Sequence, residues 1–180
     1  MKHVNKKVLG EERRQLILQS LQNASEPLTG SELATKTNVS RQVIVQDISI
    51  LKARNYPILA TAQGYVFMQQ QLASQYITKV IACKHTPKET EHELTIIVDH
   101  GGIIKDVIVE HPVYGYLTGS LMIRTRRDIR EFIKKTNTTN ATLLSELTNG
   151  VHLHTIQART EQELTEITEA LDNAGYLLTE

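Results

Sequence analysis

Three histidines and one glutamate in this chain are of the residue types that bind divalent transition metals. His152 and His154 are separated by one residue, and residues two apart on an extended strand point to the same face. His85 and Glu93 lie upstream of them. Three imidazoles and a carboxylate suit Zn, Ni, Fe or Mn, with the geometry of the cavity deciding among these metals. We expect the intervening Leu153 to point the other way, into the core.

The spacing of these residues leaves other interpretations open. Glu93 borders the apolar face of a predicted helix, where a carboxylate is costly unless it is paired or bound to a cation. Glu93 could instead pair with Lys88 at the surface, and His152 and His154 could be exposed strand residues. His92 could be the ligand in place of Glu93, since adjacent helical residues face about 100° apart. The residues alone therefore indicate a candidate metal site without fixing its ligands.

Alternating strands and helices are expected to position these side chains. Strands are predicted at 76–84, 103–110, 117–123, 151–157 and 176–178, and helical segments at 86–99, 126–135, 141–147 and 161–171. This order predicts an α+β fold for the second part of the chain. We expect a sandwich in which a mainly antiparallel sheet carries helices on one face.

The first part of the chain has the pattern of a winged helix-turn-helix. A first helix is predicted to end before residue 27, a second to start at 30, and a third to span 41–54, followed by a hairpin of 58–60 and 65–67. Thr29 is the expected N-cap of the second helix, with Glu32 completing a capping box, and Ser40 caps the third. We therefore expect a DNA-binding domain at 1–68 and a regulatory domain at 69–180.

The third helix carries side chains suited to reading DNA. In a helix-turn-helix the start of this helix enters the major groove and meets base edges. The residues expected to contact double-stranded DNA are Ser40, Arg41, Gln42, Gln46 and Lys52. Arginine suits guanine, glutamine suits adenine, and lysine can meet phosphates. The alternative is a winged helix used for protein contacts, in which Arg41 and Lys52 are merely solvated.

Composition and charge exclude several classes of protein. The chain has 180 residues, of which 40% are hydrophobic and 22% charged, as in ordinary globular proteins. No apolar run reaches membrane-spanning length, no signal peptide is visible, and the one cysteine rules out an intrachain disulfide. We therefore expect a cytoplasmic protein without membrane contact. Residues 1–67 carry nine Lys and Arg against five Asp and Glu, while the remainder carries eleven against fifteen, so the basic end is the one suited to phosphates.

Four segments resemble those of a known family. Residues 28–34 and 39–48 resemble the helix-turn-helix of bacterial nicotinate-responsive repressors, although the biotin repressor's reader domain has a similar pattern. Residues 110–115 and 149–154 look like the signatures of the three-histidine (3H) domain in those repressors. The resemblance covers nearly the whole chain, from about Arg13 to Leu178.

The resemblance implies a dimeric transcriptional repressor of NAD biosynthesis or niacin uptake genes, with nicotinic acid as co-repressor. It also implies a divalent metal in the regulatory domain. The family pattern has one His, a Glu eight residues later, and a later His-x-His. This pattern falls on His85, Glu93, His152 and His154.

The position of nicotinate is a separate question, which residue chemistry addresses only in part. Its carboxylate or pyridine nitrogen can complete an open metal coordination sphere. Arg124, or the arginines two and three residues later, could pair with the carboxylate, while Tyr114 or Tyr116 could stack on the ring. His111 could hydrogen-bond the ligand. The alternatives are that His111 is a turn residue satisfied by backbone groups and that the arginines are a solvated helix start.

Three functions are compatible with these residues. The first is the nicotinate-controlled repressor, and the second is a metal-sensing regulator that uses the same side chains. The third is a metal-dependent hydrolase with a nucleic-acid-binding arm. A hydrolase needs a general base besides Glu93, for which His100, Asp99 and Glu110 are unplaced candidates. No nucleophile elbow, phosphate loop or Cys/His pair appears, so we expect a regulator and not an enzyme.

Overall fold

A computed structural model describes residues 10–68 and 76–178 of the chain. Contacts divide the chain into two compact units, Met1–Gln71 and Leu72–Glu180. The expected boundary after residue 68 lies at the edge of segment 69–75, which is outside the described residues. Among the helices of the described part, none is long and apolar enough to cross a membrane.

The N-terminal unit has the winged helix-turn-helix architecture expected from the sequence. Its helices are α1 (Gly10–Gln22), α2 (Gly30–Thr37) and α3 (Arg41–Ala53), and its hairpin strands are β1 (Ile58–Thr61) and β2 (Gly64–Phe67). Leu28 extends the hairpin by pairing with Tyr65. A Cβ at position 64 would lie 2.7 Å from the Leu28 carbonyl oxygen, and φ there is +141°, so Gly64 is required for this close approach.

Side-chain caps start α2 and α3 at the expected positions. The Thr29 hydroxyl accepts a hydrogen bond from the Glu32 amide at 3.2 Å, and Glu32 accepts one from the Thr29 amide at 2.7 Å. This reciprocal pair is the predicted capping box. The Ser40 hydroxyl accepts from the Val43 amide at 3.4 Å and begins α3. Local hydrogen bonding therefore fixes where α2 and α3 each begin.

A buried ion pair joins α1 to α3 beside the apolar core. The core residues are Ile17, Leu21, Leu33, Ala34, Ile44, Ile48, Leu51 and Ile58. Next to them, Arg13 donates to the Asp47 carboxylate at 2.5 and 3.3 Å, and Arg14 donates to it at 3.1 Å. Asp47 is 2% exposed. Because Asp47 lies on the inner side of α3, this contact fixes which side of α3 remains outside.

Over residues 76–178, the C-terminal unit is a four-stranded antiparallel sheet with three α-helices. Its elements are β3 (Ile77–Lys84), α4 (Thr90–Asp99), β4 (Ile103–His111), β5 (Gly115–Ile123), α5 (Arg126–Thr139), β6 (Val151–Ala158) and α6 (Glu161–Asn173). The strand order is β3-β6-β4-β5, so the late strand β6 pairs with both β3 and β4. Helix α4 contacts α5, α6 and β4, while α6 contacts β3 and β6. The helices therefore form a layer over the sheet, as the α+β prediction required.

Several element boundaries differ from those expected. Strands β4 and β5 extend further into their turn, α5 continues to Thr139, and short 3-10 helices occupy Pro87–Glu89 and Leu144–Thr148. The predicted strand at 176–178 is reduced to a bridge between Leu177 and Cys83. Among the described residues, two backbone hydrogen bonds to β3 flank this bridge, from the Lys84 amide to the Tyr176 carbonyl and from the Leu178 amide to the Ala82 carbonyl. The chain is described only to residue 178, directly after these contacts.

The buried ion pair leads to a test of stability. Asp47→Asn keeps the shape of the side chain but leaves the Arg13 charge buried without its counter-ion. We expect this change to lower the free energy of unfolding by about 3–5 kcal/mol, as measured by urea denaturation followed by circular dichroism. Glu11→Gln, which removes an exposed partner of Arg14 and Arg54, is the matched control and has a much smaller effect. Equal losses in the two variants would contradict the role of Asp47.

Candidate metal centre

His152 and His154 lie on the buried face of β6. Both are 3% exposed, and their Cα partners on β3 are Cys83 and Ile81. Leu153 was expected to point into the core, but this prediction is wrong: Leu153 is half-buried on the opposite face. The two imidazoles take the inner positions because they have polar partners there.

Glu93 is the shared partner of all three predicted histidines. Its carboxylate is fully buried on α4. Its Oε2 lies 2.7 Å from His85 Nε2 and 3.4 Å from His154 Nε2, and its Oε1 lies 3.3 Å from His152 Nε2. The structure thus brings together the four residues that the sequence singled out. The alternative of a surface pair with Lys88 is excluded by this burial.

His92, the other alternative ligand, lies outside the cluster. It is exposed on α4, and its Nδ1 lies 2.7 Å from the Tyr176 hydroxyl. One residue along a helix turns a side chain by about 100°, which is enough to separate the environments of His92 and Glu93.

Backbone carbonyls hold the three imidazoles in one orientation. The Nδ1 atoms of His85, His152 and His154 lie 2.8, 2.8 and 2.6 Å from the carbonyl oxygens of Thr86, Gly150 and Asp106. A carbonyl can only accept, so each Nδ1 donates and each Nε2 faces Glu93. In a neutral ring of this tautomer, Nε2 carries a lone pair, and here that lone pair points at the Glu93 carboxylate. Because two lone pairs repel, protons or a metal ion must lie between these nitrogens and the carboxylate.

A glycine makes the position of His85 possible. A Cβ at position 150 would lie 2.2 Å from the His85 carbonyl oxygen, and φ of Gly150 is +89°. The Gly150 carbonyl accepts from the His85 amide at 3.4 Å as well as from the His152 ring. Gly150 therefore brings the end of β3 close to the start of β6, where these two histidines lie.

Burial and charge act against each other in this cluster. Burial alone raises the pKa of Glu93, but the charge of His154 and hydrogen bonds from all three histidines lower it well below its usual value. Burial alone lowers the pKa of His85 and of His154, but hydrogen bonding to Glu93 and its charge raise both pKa values above the usual one. The carboxylate is therefore ionised, and the rings of His85 and His154 are biased towards holding positive charge.

Cys83 belongs to the same cluster, which sequence reasoning missed. One ligand atom each of Cys83, Glu93 and His152 lies within 4.8 Å of the other two, and all three residues are buried. The sequence assigned Cys83 only to a core strand. Its position two residues before His85 was the available signal, because such residues share a face of a strand.

A cavity of about 230 Å³ opens beside the histidines. His85, Glu93, His152 and His154 form one part of its wall. The apolar residues that line the remainder are Leu94, Val107, Leu121, Phe132, Leu143 and Leu144. Thr90 also lines the cavity, and its buried hydroxyl has no hydrogen-bond partner among the described residues. The cavity thus combines a polar end, an apolar wall and a buried hydroxyl available to a ligand.

The residues predicted to contact nicotinate do not line this cavity. His111 ends β4, and its Nδ1 accepts from the amides of Val113 and Tyr114 at 3.2 and 3.4 Å. Tyr114 is 74% exposed in the β4–β5 turn, with its ring centroid 5.0 Å from that of His111. Arg124 is exposed before α5. His111 thus has the backbone-satisfied position that the sequence analysis gave as its alternative.

The five side chains expected at DNA are all exposed. Ser40, Arg41, Gln42 and Gln46 lie in the first half of α3 or at its cap, and Lys52 lies in its last turn. Arg41 extends across Gly30, since a Cβ there would lie 3.3 Å from the Arg41 side chain. The start of α3 therefore presents polar groups while its apolar side packs inward.

Comparison with known proteins agrees with this two-part architecture. A family model described as an HTH domain matches residues 13–66, and one described as a 3H domain matches residues 78–180. The transcription repressor NadR of Bacillus subtilis (strain 168) is 53% identical over 173 residues, covering 96% of each chain. The probable transcription repressor NiaR of Thermotoga maritima is 38% identical over 174 residues, covering 97% of this chain and 98% of that protein. The chain therefore belongs to the 3H-domain family of helix-turn-helix transcription repressors.

Proposed function

We propose that this protein is a DNA-binding repressor of NAD biosynthesis or niacin uptake genes, in which a divalent metal and nicotinic acid set the affinity for operator DNA. The observation that carries the proposal is the wall of the cavity. Three oriented imidazoles and a carboxylate lie at one part of it, and the remainder is mainly apolar, with a few hydroxyl-bearing side chains. Such a combination suits a small aromatic acid bound next to a metal.

The donor set fits a resident divalent metal. His85, Glu93, His152 and His154 would hold it, and the carbonyl bonds to each Nδ1 are the outer contacts that metal-binding imidazoles use. Zn, Ni, Fe and Mn all accept such ligands. A bound metal would supply Lewis-acid chemistry next to the cavity. The protein's part is to orient the four ligands and to keep bulk water from the buried side.

Nicotinic acid is the proposed ligand of the cavity. Its ring would lie against the apolar side chains Leu121, Phe132 and Leu144. Its carboxylate or pyridine nitrogen would face the histidine end, where the Thr90 hydroxyl can donate a hydrogen bond. We propose this cavity as the nicotinate site in place of the contacts at His111, Tyr114 and Arg124 that were predicted from the sequence. Those three residues do not line the cavity.

DNA recognition is assigned to the exposed side of α3. A homodimer would present two such helices about 34 Å apart, one turn of DNA, to a near-palindromic operator. Nicotinate acts as co-repressor if it binds more tightly to the geometry that fits this spacing. By linkage, operator DNA then tightens nicotinate binding by the same factor.

The two other functions use the same site differently. A metal-sensing regulator would respond to metal without nicotinate, which separate titrations distinguish. For a hydrolase the geometry is unfavourable: among the described residues lining the cavity, Glu93 carries the one carboxylate, and it faces three imidazoles. Asp99 pairs with Arg126 at the surface, and the His100 ring bonds the Ile96 carbonyl.

Removing the central carboxylate tests the metal site. We expect wild-type protein to bind Zn²⁺ with an affinity that falls as pH is lowered, because the raised pKa values of His85 and His154 let protons compete. Glu93→Gln should weaken binding by about 100-fold or more, measured by competition with a chromogenic chelator. The exposed Glu91→Gln on the same helix is the control and should bind as wild type. Unchanged Zn²⁺ affinity in Glu93→Gln would contradict the assignment.

The unpartnered hydroxyl in the cavity provides a test of nicotinate binding. Thr90→Val keeps the shape of the side chain and removes the donor, so nicotinate should bind metal-loaded protein roughly tenfold more weakly in calorimetry. Thr165→Val, on an exposed position of α6, should leave the affinity unchanged. Nicotinamide, which lacks the carboxylate, should bind weakly to every variant. Equal nicotinate affinity in the two variants would place the ligand elsewhere.

Variants of α3 separate base contacts from phosphate contacts. With a duplex selected by the protein from a random pool, Gln46→Ala should cost about 1–3 kcal/mol and relax sequence preference at one position. Lys52→Ala should weaken binding to all sequences and reduce the salt slope by about one. Lys79→Ala, exposed on β3, is the control for general charge effects. If Lys79→Ala lost DNA binding while Gln46→Ala and Lys52→Ala bound as wild type, α3 would not be the helix that reads DNA.

A further inference from the structure

Cys83 is the one sulfur nucleophile of the chain and lies inside the candidate metal centre. It is fully buried on β3, opposite His152 in the sheet register, and two residues before His85. Its sulfur lies within 4.8 Å of ligand atoms of both Glu93 and His152. These polar neighbours distinguish Cys83 from a thiol that merely fills space in an apolar core.

The Cys83 sulfur lies on the side of the cluster away from the cavity. His85, Glu93, His152 and His154 all line the cavity, whereas Cys83 does not, although its Sγ is within 4.8 Å of ligand atoms of Glu93 and His152. The thiol therefore approaches the cluster from the sheet, away from the cavity. A ligand in this place leaves the cavity-facing side of a metal open to a small molecule.

We propose that Cys83 is a further ligand of the metal and selects which metal is held, an inference that rests on the proposed metal site. When the metal enters, the S–H bond is lost, its proton leaves to solvent, and a metal–sulfur bond forms without any redox step. A thiolate favours Zn²⁺, Co²⁺ and Ni²⁺ over the harder Mn²⁺. The other four ligands suit several metals, so the cysteine would shift the preference of the site towards the first three.

Cobalt spectroscopy tests this proposal on the full-length, metal-free chain. Co²⁺ bound to wild type should give an intense sulfur-to-cobalt charge-transfer band in the near ultraviolet. Because the chain has one cysteine, that band can come only from Cys83. Cys83→Ser and Cys83→Ala should bind Co²⁺ without the band, while Ala82→Ser, a half-buried control on the same strand, should retain it.

The outcomes separate this proposal from the metal site itself. Co²⁺ bound to wild type without a charge-transfer band would overturn the cysteine ligand. Absence of Co²⁺ and Zn²⁺ binding in wild type would overturn the metal site, and the cysteine ligand with it. As a second readout, Cys83→Ser should lower the ratio of Zn²⁺ to Mn²⁺ affinity by about tenfold or more. An unchanged ratio would also overturn the proposal.

Discussion

The C-terminal unit depends on a carboxylate that is completely removed from water. An ionised Glu93 in that position is costly unless positive charge surrounds it. Two imidazoles from β6 and one directly after β3 meet it, and a carbonyl bond at each Nδ1 prevents the rings from turning away. The requirement for a cation therefore links α4 to β3 and β6. A metal ion meets this requirement at neutral pH better than three separate protonated rings, which repel one another.

The same constraint shapes the cavity. The histidine–Glu93 cluster shares the cavity wall with apolar side chains from β4, β5 and α5. A small ligand with one acidic group and one ring matches this arrangement, because its two parts meet different parts of the wall. In the N-terminal unit a second buried charge has a comparable role. Asp47 bonds Arg13 and Arg14, and so holds the rotation of α3 that leaves its polar side exposed.

Helix-capping and turn patterns in the sequence correctly predicted the features that depend on neighbouring residues. The capping box of Thr29 and Glu32 and the hairpin around Gly64 depend on residues a few positions apart. Strand alternation correctly placed His152 and His154 on one face, but it could not tell which face is buried. The apolar Leu153 suggested the wrong answer, because the deciding partner, Glu93, lies far away in sequence. Cys83 and Asp47 escaped notice for the same reason. The nicotinate contacts were chosen by chemical type. His111 and Tyr114 lie in the β4–β5 hairpin and Arg124 lies before α5, and these positions depend on contacts between distant residues that type alone does not reveal.

The most direct test of the account is operator binding by fluorescence anisotropy at fixed salt, with nicotinate present or absent and metal present or chelated. The duplex is one selected from a random pool by the metal-loaded protein with nicotinate. We expect nicotinate to tighten operator binding when metal is present and to have no effect after chelation. Equal affinity under all four conditions would contradict it, because the cavity and the metal centre would then have no influence on DNA binding.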